Sequence, residues 1–306
     1  HLSPWTTTVG ASTQTREFAT TLTLTANNGD TLAVDGASIT AGAGPLPVVL
    51  AQNVPGYTGG AGCATLPPAA STVFDVMIVA CQRGGQARVW KGFVVQQGSG
   101  EGMILYNPAL ADVETDNHWV PTVHLADGTG FVAFMTSHPG VVTGSFPQGE
   151  PQDGQGDVMA AFSSRGPGGL FIKPDLTAPG VQILAGASPT PPFPTPVDGG
   201  SPPGNFYQAI AGTSMSSPHV AGAGILVRAV HPDWSPGQIR SALMTTAVTD
   251  VVKEDLTTPA DPFDMGAGRI DISGAIGAPL TFDETADDFF GLGNDPIQAV
   301  HLNLPS

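Results

Sequence analysis

Residues 212–222 constrain the fold more than any other part of this 306-residue chain. They read Gly-Thr-Ser-Met-Ser-Ser-Pro-His-Val-Ala-Gly and run directly into the apolar residues 223–230. This pattern predicts a glycine turn that leads into a buried helix, and Pro218 is tolerated in its first turns. Because the first N–H groups of a helix have no partner within it, the positive end of the helix faces Ser214. The pattern therefore predicts an accessible serine nucleophile at the tip of a packed helix.

Two other interpretations fit a serine at this place. As a simple N-cap, Ser214 would only accept a hydrogen bond from a free N–H group of the first turn. In an α/β-hydrolase the nucleophilic serine stands between two glycines, whereas Met215 and Ser216 follow Ser214 here. That difference disfavours the hydrolase fold, and the length of the motif favours a nucleophile over a cap.

Residues 212–222 resemble the serine motif of the subtilases, the subtilisin-like serine proteases, and Ser214 falls on the position of their nucleophile. Other segments are similar to this family in the same order along the chain. They are residues 4–13, 158–167, 173–186, 231–236, 239–247 and 262–271. The resemblance implies a subtilisin-like α/β catalytic domain with a partial parallel sheet, formed by residues 1–15 and 146–306. It also implies a serine endopeptidase that forms an acyl-enzyme on Ser214, with the Ser214 backbone N–H in the oxyanion hole.

Residues 16–145 have a different texture, with turn signals at Asn28-Gly29, Asp35-Gly36 and Asp127-Gly128 between short alternating runs. We expect buried strands at residues 73–81, 103–106 and 131–135, and a helix within residues 86–98 that ends at a glycine. The stretch resembles the protease-associated (PA) domain, which cucumisin-like subtilases insert between their histidine and serine segments. The resemblance implies an inserted β-rich domain. Residues 144–157, rich in glycine and acidic residues, are predicted to be a linker.

A subtilase also needs a histidine base, an aspartate that orients it and a side-chain amide at the oxyanion. The family's histidine motif surrounds none of the seven histidines, which are His1, His118, His124, His138, His219, His231 and His301. His219 lies in the serine motif itself and is predicted to be a packed structural residue. Asp175 does not stand in the family's Asp-Thr/Ser-Gly context, so it is not assigned to the triad.

We therefore expect the chain to lack the Asp, His and oxyanion Asn segments and to be inactive alone. The missing parallel strands would leave apolar edges uncovered, so the predicted partner is the N-terminal half of the catalytic domain. The expected substrate is a protein or peptide. Two alternatives remain open, a binding or homodimerisation module built on the PA domain and a pseudoprotease.

Composition limits the partners and the compartment. Ten basic against 26 acidic residues give a net charge of −16, which disfavours nucleic acid and anionic membranes as partners. No apolar run reaches the roughly 18–20 residues of a membrane span, so none is predicted. The chain starts at His1 without a secretory leader, and we expect it to be a processed or truncated piece of a longer protein.

The only cysteines, Cys63 and Cys81, are predicted to form one disulfide. It would close a loop of about 19 residues, stabilise the fold by about 3 kcal/mol and indicate a secreted protein. His118 and His124, with Asp116 and Asp127 nearby, lack metal-ligand spacing, so no metal is predicted. No oxygen-ligand loop for calcium is recognisable either, and no cofactor is predicted.

Overall fold

The computed structural model describes residues 2–167, 171–189 and 202–291. The strands in chain order are β1 (Val9–Ser12), β2 (Arg16–Ala26), β3 (Thr31–Ala37), β4 (Ala43–Leu50), β5 (Ile78–Gln82), β6 (Gly102–Tyr106), β7 (Thr122–Leu125), β8 (Val142–Phe146), β9 (Glu150–Asp153), β10 (Leu176–Pro179), β11 (Ile183–Gly186) and β12 (Tyr207–Ile210). The helices are α1 (Arg88–Gln97), α2 (Thr129–Ser137), α3 (Thr213–Val230), α4 (Pro236–Thr245), α5 (Pro262–Met265), α6 (Ile272–Ile276) and α7 (Ala286–Gly291).

The chain divides into two compact units. Unit 1 comprises His1–Thr15, Gly154–Ile183 and Ala211–Ser306, and unit 2 comprises Arg16–Asp153 and Leu184–Ile210. Unit 2 therefore takes in residues 146–153 and 184–210, which the sequence analysis placed in the C-terminal catalytic segment. Within unit 2, Asn117 Nδ2 donates to the carbonyl of Tyr207 at 2.6 Å, so the second segment is tied to the first by a hydrogen bond.

Unit 2 is built on an eight-stranded sheet in the order β3-β7-β6-β5-β4-β8-β2-β9. The strands β4, β5, β6 and β7 run parallel, whereas β2 pairs antiparallel with β3, β8 and β9. Because successive side chains of a strand point to opposite faces, both faces of this sheet can be apolar. In β6, Ile104 and Tyr106 join the core that includes Phe131 of α2, and Met103 and Leu105 join the core that includes Val94 of α1.

The apolar run at residues 131–135, predicted to be a strand, lies in α2 instead. Phe131 is buried and Phe134 and Met135 are half-buried, whereas Ala133 is exposed, which is the spacing of one helix face. Asp127 accepts hydrogen bonds from the backbone N–H of Thr129 at 2.9 Å and from its hydroxyl. The Asp127-Gly128 pair, predicted as a hairpin or turn signal, lies at the start of this helix, with Gly128 as its N-cap.

Three further predictions in unit 2 agree with the structure only in part. Asn28-Gly29 forms the predicted turn, between β2 and β3, whereas Asp35-Gly36 lies inside β3. The predicted strand at residues 73–81 starts only at Ile78, because the residues before it form turns such as Asp75 N–H to the carbonyl of Thr72. The predicted linker at residues 144–157 is wrong in part, since β8 and β9 pair with β2 there.

Unit 1 contains a two-stranded parallel sheet, in which β1 pairs with β10 in the register Val9 to Leu176. The α3 helix packs on this sheet through Val220, Ala223 and Val227, in one core with Leu176. Along the described residues, no helix is long and apolar enough to cross a membrane.

The predicted start of the second helix in unit 1 is confirmed. Ser235 is the N-cap of α4 and Pro236 is its first residue. The Ser235 hydroxyl accepts from the N–H of Gln238 at 3.1 Å, and the Gln238 side chain accepts from the N–H of Ser235 at 3.0 Å. This reciprocal capping box fixes the direction in which α4 leaves the preceding turn.

Candidate active site

Ser214 is the second residue of α3 and its side chain is exposed. The first hydrogen bonds of the helix run from the N–H groups of Met215 and Ser216 to the carbonyl of Gly212. The N–H groups of Thr213 and Ser214 donate to no other residue that the structure describes. These two free donors, at the positive end of an 18-residue helix, can stabilise negative charge that develops beside the Ser214 hydroxyl.

The turn before Ser214 is held by a close backbone approach. The N–H of Gly212 donates to the carbonyl of Gly180 at 2.8 Å, and the N–H of Gly180 donates to the carbonyl of Ser12 at 2.8 Å. A Cβ atom at Gly180 would lie 2.1 Å from Ser216 Oγ and 2.8 Å from Ala11 Cβ. Position 180 must therefore be glycine for the helix tip to sit against the end of the parallel sheet.

Ser214 lines a cavity of about 600 Å³ within unit 1. Two cationic side chains also line it, and both are held by carboxylates of the same unit. Arg165 Nη1 lies 3.0 Å from Asp264 Oδ1, and Lys173 Nζ lies 2.7 Å from Asp175 Oδ2. Burial lowers the pKa of Lys173 although Asp175 acts in the opposite direction.

No described histidine forms a hydrogen bond with Ser214. In unit 1, His219 Nδ1 lies 2.8 Å from the carbonyl of Met215, and His231 Nε2 lies 2.7 Å from the carbonyl of Ile276. His219 is exposed, so the expectation that it packs in the interior is wrong. The hydrogen bond of its Nδ1 to Met215 ties the ring to its own helix, and no hydrogen bond joins His219 to Ser214.

Three histidines, His118, His124 and His138, lie in unit 2, whereas His1 and His301 lie outside the described residues. His124 is buried, its Nδ1 accepts from the N–H of Glu114 at 2.9 Å, and its Nε2 lies 3.0 Å from Asn107 Oδ1. His118 is also buried. In residues 2–167, 171–189 and 202–291, no group of three or more His, Cys, Asp or Glu residues is arranged to hold a metal ion.

Asp175, to which the sequence analysis assigned no catalytic role, is buried, and both of its carboxylate oxygens accept hydrogen bonds. Its Oδ2 accepts from the N–H of Thr8 at 2.6 Å and from Lys173 Nζ at 2.7 Å. Its Oδ1 accepts from Arg240 Nη2. Asp175 therefore joins the start of β1 to α4, and no imidazole approaches it among these contacts.

Cys63 and Cys81 are joined in a disulfide in this structure, with a Cα–Cα distance of 5.6 Å. The buried Lys91 of α1 lies beside this loop, where its ammonium group donates to the carbonyl of Gly62 and, at 2.9 Å, to that of Gly84. Burial lowers the pKa of Lys91 to about 8. The sequence analysis missed this lysine because its two partners are backbone carbonyls of different loops, which no residue pattern marks.

Unit 2 also buries a cluster of charges that no sequence motif marked. Arg88 binds Asp116 through two hydrogen bonds, Nε to Oδ2 at 2.5 Å and Nη2 to Oδ1 at 3.1 Å. Glu114 Oε1 lies 3.4 Å from Arg83 Nη2 and 3.7 Å from Arg88 Nη1, while Glu114 Oε2 has no hydrogen-bond partner among the described residues.

Burial dominates the titration of this cluster. It raises the pKa of Glu114 to about 7, because the nearby arginines compensate for only part of the desolvation. Burial likewise lowers the pKa of His118 to about 4 and that of His124 to about 3. Burial alone would raise the pKa of Asp116, but its paired hydrogen bonds with Arg88 keep that pKa below its usual value.

The sequence of this chain matches a protein family and curated relatives of that family. Residues 2–290 match the Subtilase family. Subtilisin-like protease SBT1.6 of Arabidopsis thaliana is 35% identical over 98% of this chain and 41% of its own length, and SBT1.7 is 39% identical over 95% of this chain and 40% of its own length. The chain thus spans about two fifths of the curated relatives it matches. On the match across nearly its whole length, the chain belongs to the subtilase family.

Proposed function

We propose that this chain is the serine-bearing part of a subtilisin-like serine endopeptidase, in which Ser214 attacks the peptide bond and forms the acyl-enzyme. The observation that carries the proposal is the exposed Ser214 hydroxyl at the positive tip of α3, with free N–H groups beside it. In the reaction, the hydroxyl loses its proton to a base as Oγ bonds to the substrate carbonyl carbon. The Ser214 N–H then donates to the carbonyl oxygen as it becomes negative.

The base, the aspartate that orients it and the side-chain amide of the oxyanion hole belong, in this proposal, to a separate segment of the catalytic domain. Two features of unit 1 support it. First, within the described residues β1 and β10 form a parallel sheet of two strands, although such sheets are normally larger and covered on both faces. Second, Ile225 is 71% exposed and Val230 is 54% exposed on α3. A segment that extends the sheet and covers α3 would remove both anomalies, and without it the chain is expected to be inactive.

A fluorophosphonate probe tests both parts of the proposal, because it labels only an activated serine. The chain alone is expected to show no labelling at Ser214 by peptide mass spectrometry. When it is assembled with a polypeptide that carries the family's Asp, His and Asn segments, Ser214 is expected to be labelled. Ser217→Ala is the matched control, since Ser217 is exposed on the same helix and lines the same cavity. It should keep the labelling that Ser214→Ala loses.

The possible results separate the two parts. Labelling of the isolated chain at Ser214 would show that it needs no other segment. Absence of labelling in the assembled protein would overturn the role of Ser214 as nucleophile and favour a pseudoprotease.

We further infer that unit 2 is an inserted PA domain of a secreted protein and that it serves in binding. Support comes from its own eight-stranded sheet with a separate core on each face, and from the Cys63–Cys81 disulfide, which suits an oxidising compartment. Light scattering of the purified chain tests the homodimer alternative, in which this unit joins two copies. A mass of one chain at all concentrations would reject it.

A further inference from the structure

A cavity of about 690 Å³ lies on unit 2 where three parallel strands end. Gln82 ends β5 and Tyr106 ends β6, and Gln52 lies two residues beyond the end of β4. Residues of α2, among them Ala133, form the opposite wall. Crevices at the carboxyl ends of parallel strands are common ligand sites, and the volume is within the usual range for binding pockets.

Three polar groups that line this cavity have no partner in the described part of the protein. Tyr106 is only 3% exposed, yet its hydroxyl makes no hydrogen bond to any described residue. The side-chain amides of Gln52 and Gln82 likewise make none there. The Tyr106 hydroxyl lines the cavity, so a ligand there can form with it the hydrogen bond that no described residue supplies. By contrast, the Thr136 hydroxyl is already bonded to the carbonyl of Val132 at 2.7 Å.

The lining specifies the chemical class of the ligand. None of the described residues that line the cavity is charged, although the chain as a whole has a net charge of −16. A glutamine amide donates and accepts at once, which matches the N–H and C=O groups of a peptide backbone. The Tyr106 ring packs on Phe131 at 5.6 Å between centroids and is buried, so it offers no open face on which a sugar ring could stack.

We propose that this cavity binds an uncharged, extended segment of polypeptide, with Tyr106, Gln52 and Gln82 as its hydrogen-bonding groups. The side chains of such a segment would rest on the small residues Ala133 and Gly128 of the opposite wall. The site is independent of the proposed chemistry at Ser214, so binding persists when that serine is replaced.

The test uses the whole chain carrying Ser214→Ala, labelled with ¹⁵N, and titrated with the capped peptide acetyl-Ala-Thr-Val-Ser-Ala-amide. We expect saturable shifts of the side-chain amide signals of Gln52 and Gln82. Tyr106→Phe removes only an unpartnered hydroxyl and should weaken binding about twofold to tenfold, the equivalent of one hydrogen bond. Tyr57→Phe is the matched control, because the Tyr57 hydroxyl donates to Thr65 at 2.9 Å outside the cavity, and it should leave the affinity unchanged.

A second variant tests the place of binding without touching the polar groups. Ala133 is exposed on α2, so Ala133→Trp should fold and fill the cavity, and it should weaken binding more than tenfold. The proposal is overturned if the peptide does not shift the two glutamine signals, or if Tyr106→Phe and Ala133→Trp both bind as the parent does. Equal binding of acetyl-Ala-Asp-Val-Glu-Ala-amide would overturn the preference for an uncharged segment. Saturation of the same signals by cellotriose, but not by the peptide, would assign the cavity to carbohydrate.

Discussion

Replacing Glu114 by glutamine should stabilise unit 2 at neutral pH but not in acid. Glu114 is 3% exposed, and burial raises the pKa of its carboxyl from 4.5 to about 7. The folded protein therefore holds this proton more tightly than the unfolded chain does. Between pH 4.5 and pH 7 the folded state binds more protons, so this group's contribution to stability falls as the pH rises. Glutamine resembles the protonated acid and does not titrate, so the variant does not lose this stability as the pH rises.

The size of the effect follows from the shift. A difference of about 2.5 pKa units corresponds to about 3 kcal/mol in the free energy of unfolding, at about 1.36 kcal/mol per unit. The stability of Glu114→Gln relative to the parent should thus grow by about 3 kcal/mol between pH 4 and pH 8. His118 and His124, whose pKa values burial lowers, make both proteins more stable as the pH rises towards 6.5, and they cancel in the comparison.

Hydrogen exchange in urea, measured by mass spectrometry on peptides that cover β6, reports the opening of unit 2 separately from unit 1. Glu101→Gln is the control, since Glu101 is exposed just before β6 and remains hydrated in both states. As a substitution on the surface of the same unit, it should leave the stability of unit 2 close to that of the parent. An equal stability difference at pH 4 and pH 8 for Glu114→Gln, or a less stable variant at pH 8, would refute the reasoning.

Three other substitutions have defined outcomes. Lys91→Met removes a buried ammonium whose pKa is lowered to about 8. Between that value and 10.5 the unfolded chain binds more protons, so the stability of the parent should rise by about 2 kcal/mol from pH 7.5 to pH 10. The variant lacks this gain, which the same exchange assay measures. Gly180→Ala, which places a Cβ 2.1 Å from Ser216 Oγ, should destabilise unit 1 by about 1–3 kcal/mol and reduce fluorophosphonate labelling of the assembled protein. In the helix of Ser214, Gly222→Ala meets open space and should not reduce labelling. Ser235→Ala removes the α4 cap and should cost about 1 kcal/mol in thermal unfolding, and an unchanged Tm would contradict the role of the capping box.

Sequence reasoning predicted the local structure around Ser214, because that structure depends on neighbouring residues. The glycine turn, Ser214 and the first residues of α3 lie within one short stretch, and so do the cap and first turn of α4. Hydrogen bonds between residues two to four apart determine such structures, so the residues themselves predict them.

Sequence reasoning failed where a short apolar run is compatible with both a strand and a helix. Residues 131–135 are compatible with a strand or a helix, and the choice depends on Phe131 packing against a sheet whose strands lie elsewhere in the chain. The Glu114 cluster and the cavity at Tyr106 were not predicted for a related reason. Their members come from separate loops, strands and helices, so only the fold brings them together.

The contacts of Asp175 show why a carboxylate inside a matching segment need not take part in catalysis. An aspartate that orients a histidine must have an oxygen free to accept from the ring N–H. Asp175 already accepts from the N–H of Thr8, from Lys173 and from Arg240, and Lys173 has only 3% of its side chain exposed. An imidazole could bind only by displacing one of these donors, and displacing Lys173 would leave a buried ammonium without its carboxylate. The same contacts hold the start of β1 against α4. In the proposed mechanism Asp175 would therefore support Ser214 by fixing the sheet on which α3 packs, and not by orienting its base.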